Sequence, residues 1–303
     1  MTSRRQRAAS RKEEKQHIIM NKAIFIGELS LNVTLPSSDS SSMAATRVGD
    51  RLVKAAMLDG EMGVDTIFVG ETAADAVGDH IISALEKSGI GTGSVDRFTE
   101  GASPVRISAA TGDDSRAVIH SAYPSEPVNP IWPRVNEGDV AVYGSYMVID
   151  KRNHSAITEL LDHARARKAE TVYLPYFDVR QVSRTTRVMP EVWDCLEAAS
   201  LVIATTGDIA VLFPGEDAET AFRGHILFYC RRCLVLDYAS LTMRFFDGDE
   251  SWTLRCHPTD NDEFHWTAGA IAGAVRALTE KVNDPDDIMA KANETAHSIL
   301  SDQ

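Results

Sequence analysis

The stretch Cys256-His257-Pro258-Thr259-Asp260-Asn261-Asp262-Glu263-Phe264 leads into Thr267-Ala268-Gly269-Ala270-Ile271-Ala272-Gly273-Ala274, and the fold is read outward from it. Asp262 stands directly ahead of an apolar run and suits the N-cap of a helix, where a carboxylate accepts the unpaired N–H groups of the first turn. The Gly and Ala positions predict a helix packed closely on a neighbour. The pattern gives helices over residues 264–282 and 285–300.

Upstream, strands and helices alternate. Apolar runs predict strands at 23–28, 66–70, 139–144, 171–174, 201–204 and 233–237, with a further one at 244–246. Helical periodicity predicts 51–62, ending before Gly63, and 79–88, closed by Gly89. Further helices fall at 154–168, 191–198 and 217–224. Repeated strand–helix units with near-continuous apolar strands imply an α/β fold: a doubly wound, mostly parallel sheet with helices on both faces. One region has a different texture. Residues 105–110 and 117–120 flank Thr111-Gly112-Asp113-Asp114-Ser115 and read as a hairpin with polar positions on one face. Pro124, Pro127, Pro130 and Pro133 then break the chain, and the Ser-rich residues 36–42 read as loop.

A chain of 303 residues suits one large domain with a small appendage. A net charge of −13 argues against a nucleic-acid surface, which needs clustered Lys and Arg. No stretch reaches the roughly 18 apolar residues of a membrane span. The start is basic, with Arg4, Arg5, Arg7, Arg11, Lys12 and Lys15, and lacks the apolar core of a signal peptide. Residues 1–19 read as a disordered basic tail ahead of a domain over 20–303, with binding to an acidic partner an open alternative. Cys195, Cys230, Cys233 and Cys256 then read as reduced cytoplasmic thiols. Cys230-Arg231-Arg232-Cys233 has redox-motif spacing, but its apolar, strand-like surroundings favour a structural role. A zinc site would need a second spaced ligand pair, which Cys256-His257 does not supply.

The order of elements, with Asp262 two positions before Phe264, resembles the pfkB/ribokinase family of sugar kinases, whose signature is Asp-Thr-x-Gly-Ala-Gly-Asp-x-Phe. The resemblance runs over about residues 21–300. Gly27-Glu28 after the first strand, Gly49 with the helix that follows, Gly70-Glu71 with Asp75 and Gly78, and Ser88-Gly89-Ile90 match further landmarks. The resemblance implies a large α/β body and a small β lid, here about 30–46 and 98–122. It implies ATP and Mg²⁺ as cofactors, a sugar or sugar-like alcohol as substrate, and a homodimer through the lid. By the same resemblance Asp262 is the general base, and Asn32, Gly49, Asp50 and Arg180 face the substrate. Thr206, Asp237, Ala239, Asp260 and Asn261 face the nucleotide or the migrating anion.

The chemistry departs from the family pattern at several positions. Thr259, Asp260 and Asn261 stand where glycines would let bare backbone approach a phosphate. Asp260 near a polyphosphate would cost about 4 kcal/mol at ~4 Å and an effective dielectric of ~20. The sugar-contacting Asp becomes Asn32. The Mg²⁺-organising Asn-x-x-Glu falls on Thr206-Gly207-Asp208-Ile209, and the nucleotide loop on Asp237-Tyr238-Ala239-Ser240-Leu241-Thr242, without its glycines. Two functions follow. One is ATP-dependent phosphoryl transfer to a sugar hydroxyl. The other is a catalytically impaired relative that binds a sugar or nucleotide, or serves as a scaffold. A dinucleotide-dependent dehydrogenase is disfavoured because no Gly-x-Gly-x-x-Gly follows the first strand.

Overall fold

Strands that are apolar at every position must be covered on both faces. A computed structural model describes residues 21–36, 43–109, 117–182 and 184–299, and shows that cover. In β1 (Ala23–Ile26), Ala23 and Phe25 enter one core while Ile24 and Ile26 enter the other. In β8 (Val140–Gly144), Val140 and Val142 alternate with Ala141 and Tyr143 in the same way.

The large sheet adds β4 (Thr66–Ala73), β5 (Gly91–Phe98), β9 (Glu170–Leu174), β10 (Leu201–Thr205), β11 (Arg232–Asp237), β12 (Thr242–Asp247) and β13 (Glu250–Arg255). Its order is β13-β12-β11-β10-β9-β8-β1-β4-β5. Neighbours from β5 to β11 are parallel, and β12 and β13 are antiparallel. One face carries α1 (Arg51–Glu61), α2 (Ala76–Lys87), α8 (Glu263–Thr279) and α9 (Pro285–Ser298). The other carries α3 (Ser145–Ile149), α4 (His154–Ala166), α5 (Met189–Ala198), α6 (Thr206–Leu212) and α7 (Ala218–Ala221). A second sheet of four strands has the order β3-β2-β6-β7, from β2 (Leu31–Leu35), β3 (Ala45–Val48), β6 (Ala102–Ala109) and β7 (Val118–Ala122).

Several elements differ from the sequence reading, each for a local reason. The second helix begins at Ala76, because Asp75 caps it by accepting from Gly78 N–H at 2.7 Å. The helix expected over 217–224 is one turn, Ala218–Ala221, followed by a wider π-type turn, Phe222–Ile226. Edge strands β5 and β13 have no continuous apolar run, since one side of each has no neighbouring strand. Short α3 and α6 are fixed by their place after a strand. All four cysteines are free and buried. Burial pushes the Cys230 thiol up to about 11, as suits a packing role. The tail 1–19, the turn 111–115 and serine-loop residues 37–42 lie outside the described residues.

The small residues of α8 let α9 approach closely. A Cβ on Gly273 would lie 2.7 Å from Ala292 Cα and strike the Lys291 carbonyl. In an exposed helix, Gly→Ala gains about 1 kcal/mol. Here Gly273→Ala is expected to destabilise by about 1–3 kcal/mol through overpacking, read as a lower urea midpoint at unchanged slope.

Candidate functional site

The chain runs outward from β1 to β4 and β5, then returns to the other side of β1 at β8. Such a reversal opens a crevice at the C-terminal ends of the strands. Glu28 follows β1, Ser145 follows β8, and residues 176–181 follow β9. The Glu28 N–H donates to Ser145 Oγ at 2.7 Å, which ties the two strand ends together. The small sheet and the start of α8 close the crevice into a cavity of about 900 Å³.

Five of the anticipated residues share that cavity: Asp262, Asn32, Gly49, Asp50 and Arg180. Asp262 is the N-cap of α8, and its Oδ1 accepts from both the N–H and the ring Nδ1 of His265, each at 2.8 Å. Burial raises its pKa, but those bonds, with the charges of His265 and Arg47, outweigh burial and hold the carboxyl below its ordinary range. Asn32 donates from Nδ2 to the Gly49 carbonyl at 2.7 Å. Gly49 has φ of +68°, and a Cβ there would strike Val53, so only glycine fits. Asp50 caps α1 by accepting from Leu52 and Val53 N–H at 2.8 and 3.2 Å. Arg180 pairs with Asp178, which Arg106 also approaches at 3.4 Å.

The residues anticipated for a nucleotide are placed differently. Thr206 and Asp237 line a second, smaller cavity of about 310 Å³, with Asp217 and Arg244. Asp208, in the metal-motif stretch, completes a capping box with Thr205 and pairs with Arg51. Burial opposes the charge on Arg51, yet the Asp208 carboxylate outweighs it and raises the arginine's pKa. Arg51 also lies over the Tyr176 ring, 4.4 Å from its centroid. The glycine-free loop is a tight turn joining β11 to β12, with Asp237 opposite Thr242 and Leu241 at φ +49°. Ala239 is exposed on this turn. Asn261 is buried, donating to the Ala296 carbonyl at 3.0 Å while its own carbonyl accepts from Tyr238 Oη at 2.9 Å. Asp260 is exposed. Neither cavity has Ala239, Asp260 or Asn261 in its wall.

The sequence reading assigned no role to Glu28, Arg47, Arg51 or Arg106, which also line the large cavity. Glu28 accepts from Gln181 Nε2 at 2.9 Å and from Tyr123 Oη at 2.8 Å. Burial pushes its carboxyl up to about 7, against those two hydrogen bonds. An acid immediately after a buried strand was the available signal for Glu28. Arg47 and Arg106 carried none, because only the register of the small sheet gathers them, and Arg51 is brought in by its place in the first turn of α1.

No protein-family model matches this sequence, and no curated protein matches it. Solved structures do. A double mutant of fructokinase from Vibrio cholerae, bound to fructose, ADP and potassium ion, has a TM-score of 0.79 at 10% identity, covering 92% of this chain and 91% of its own. Aminoimidazole riboside kinase from Salmonella enterica, with aminoimidazole riboside and an ATP analog, has 0.76 at 13%, covering 91% of each chain. A protein described as ribokinase II from E. coli, with ATP and Mg²⁺, has 0.68 at 12%, covering 91% of this chain and 92% of its own. The fold is that of the pfkB/ribokinase sugar kinases.

Glu28 sets a pH signature. Between about pH 4.5 and 7 the folded protein keeps a proton that the unfolded chain has released. Stability therefore falls as pH rises through that window. Glu28→Gln is expected to flatten the slope, by about 1–2 kcal/mol between pH 5 and pH 8, in urea unfolding at each pH.

Proposed function

We propose that this protein holds a sugar in the lid-covered cleft, and that Asp262 is the base for phosphoryl transfer from ATP to a sugar hydroxyl. The observation that carries the reading is the Asp262 carboxylate at the wall of the large cavity, at the N-terminus of a long helix. Both bonds from His265 go to Oδ1, so Oδ2 is the oxygen positioned to take a hydroxyl proton. As the proton leaves, the sugar oxygen bonds to the terminal phosphorus and the bond to the departing diphosphate breaks. The first helical N–H groups, of Glu263 and Phe264, have no partner within the helix and favour the developing negative charge. The Asn261 N–H is not offered to an anion, because it donates to Thr259 Oγ1 at 3.1 Å. Glu28, Asn32 and Asp50 offer hydrogen bonds to sugar hydroxyls. The riboside and fructose named for the fold neighbours are ligands of this class.

ATP would supply the phosphoryl group, and Thr206 and Asp237 in the smaller cavity are its candidate contacts. The fold neighbour with ATP and Mg²⁺ also implies a divalent cation. Among the described residues no three His, Cys, Asp or Glu side chains converge as metal ligands, and Asp208 is engaged by Arg51. The residues present do not fit a protein-held metal, and no step is assigned to one. The Arg51–Asp208 pair and the tight 238–241 turn favour a second reading: a catalytically impaired protein that binds its ligand without turnover.

Asparagine caps a helix as well as aspartate does, so Asp262→Asn separates base from cap. With ATP, a divalent cation and a panel of sugars, wild type is expected to release ADP in a sugar-dependent way. The variant should lose about 10²–10⁴-fold in kcat at an unchanged melting temperature. Equal turnover would remove Asp262 from the mechanism. Wild type with no turnover and no nucleotide-dependent stabilisation would support the second reading.

We also propose a homodimer through the lid. Leu35, Ile107 and Val118 are exposed by 45%, 38% and 61%, and lie on alternate positions facing away from Asn32. Val118→Glu with Ile107→Glu is expected to halve the mass seen by light scattering. No helix among the described residues is long and apolar enough to cross a membrane. The free, buried cysteines suit a reducing compartment, and we place the protein in the cytoplasm.

A further inference from the structure

Arg51 opens α1 on one face of the large sheet, and its partners come from the other face. Its Nη2 donates to Asp208 Oδ2, and its Nη1 donates to Thr205 Oγ1 at 3.4 Å. Thr205 ends β10 and caps α6, and Asp208 completes that capping box. The guanidinium also lies over the ring of Tyr176, just past β9. The side chain therefore crosses the C-terminal ends of β9 and β10 and joins helices on opposite faces of the sheet. It does so between the two cavities. Val211 of α6 lines the large one, together with Arg51, while Thr206 and Ile209 of the same helix line the small one.

Two carboxylates act on this cation. Asp208 meets it directly, and Asp50, the residue before it, acts by charge. Burial raises the pKa of Asp50, and the Val53 N–H and the Arg51 charge oppose that rise. Tyr176 adds no third negative charge. Burial and Asp50 push its phenol up to about 12, so it presents a neutral ring. The contact with Asp208 is made at one point. Nη1 goes to Thr205, and Nε is buried with no hydrogen-bond partner among the described residues. The guanidinium thus does not offer Asp208 the paired N–H groups of its fork. It acts as a point of positive charge among carboxylate and hydroxyl oxygens, which is the part a hard divalent cation plays. Unlike such an ion it is tethered to the chain and charged at every working pH.

We propose that Arg51 is the resident cation of this cleft, so that Asp50 and Asp208 hold a guanidinium in place of a divalent metal ion. The inference goes beyond the phosphoryl-transfer reading and does not rest on it, because its test needs neither ATP nor sugar. Mn²⁺ alone is titrated into the full chain at neutral pH and followed by calorimetry and by melting temperature. Wild type is expected to bind no Mn²⁺ through Asp208, so Asp208→Asn should leave its titration unchanged. Arg51→Met removes the charge and leaves Asp50, Asp208 and Thr205 Oγ1 as oxygen ligands. That variant is expected to melt lower without metal, since one charge of a shielded pair is stranded. It should bind Mn²⁺ at least tenfold more tightly than wild type, and its melting temperature should rise with Mn²⁺ concentration. Arg51→Lys keeps the charge and should bind no better than wild type. Arg51→Met combined with Asp208→Asn should lose the gained binding and recover part of the lost melting temperature. Arg51→Gln gives the same comparison should the methionine variant not fold.

Each contrary result is distinct. Mn²⁺ binding by wild type that disappears in Asp208→Asn overturns the proposal, because the ion then displaces the guanidinium. Equal Mn²⁺ affinity in wild type and Arg51→Met overturns it too, because the freed carboxylates then make no cation site. Binding gained in Arg51→Met that survives Asp208→Asn puts the ion elsewhere and counts against it in the same way. None of these results bears on turnover, which the Asp262→Asn comparison decides separately.

Discussion

Burial of the parallel strands on both faces constrains everything else in this molecule. Strands such as Val140–Gly144, buried at all five positions, have no solvent face on which to carry polar chemistry. Polar groups are confined to the loops beyond the strand ends, and topology chooses which loops meet. The chain reverses between β1 and β8, so Glu28 and Ser145 become neighbours although 117 residues separate them. Ser145 is held at φ +65°, a left-handed conformation that costs a non-glycine residue about 1–2 kcal/mol. The bond from Glu28 N–H helps to keep it there, at the floor of the cleft.

Around Asp208 the departures from the family pattern form one connected arrangement. Asp208 accepts from the Thr205 N–H at 2.8 Å and pairs with Arg51, while Tyr176 covers the guanidinium. Both partners are largely shielded, at 13% and 7% side-chain exposure. Removing one member of such a pair strands the other charge in a poorly solvated place. The pair therefore resists rearrangement. A polyphosphate arriving beside Thr206 would compete with Asp208 for Arg51. The absence of glycine at 239 and 242 fits the same arrangement, because a tight turn needs no open backbone for phosphate.

The sequence made the inner strands of the large sheet legible because they are apolar at consecutive positions, while edge strands β5 and β13 carry no such run. It made α8 and its cap legible because Asp262 precedes a run of small residues. Asn32, Gly49, Asp50, Arg180 and Asp262 were reachable only through the family resemblance, and the cavity contains all five. Capping explains why spacing said less about their roles. Asp50 and Asp262 both serve helix termini, work that a sequence cannot tell from catalysis. Arg47 and Arg106 were illegible for another reason. They stand 59 positions apart, and only the pairing of β3, β2 and β6 aligns them with Asn32. Register depends on which strands become neighbours, and no local pattern encodes that.

Net charge and local charge pull in opposite directions here. At −13 the chain as a whole repels ATP and acidic sugars alike. In physiological salt, however, screening reduces the influence of charges beyond about 8 Å. A ligand inside the cleft is governed by the groups within that distance, among them Arg47, Arg51, Arg106 and Arg180. Long-range repulsion slows the approach of every anion, while the guanidinium groups that line the cleft act only at close range. The field inside the cleft is set by the groups that line it and not by the charge of the protein as a whole.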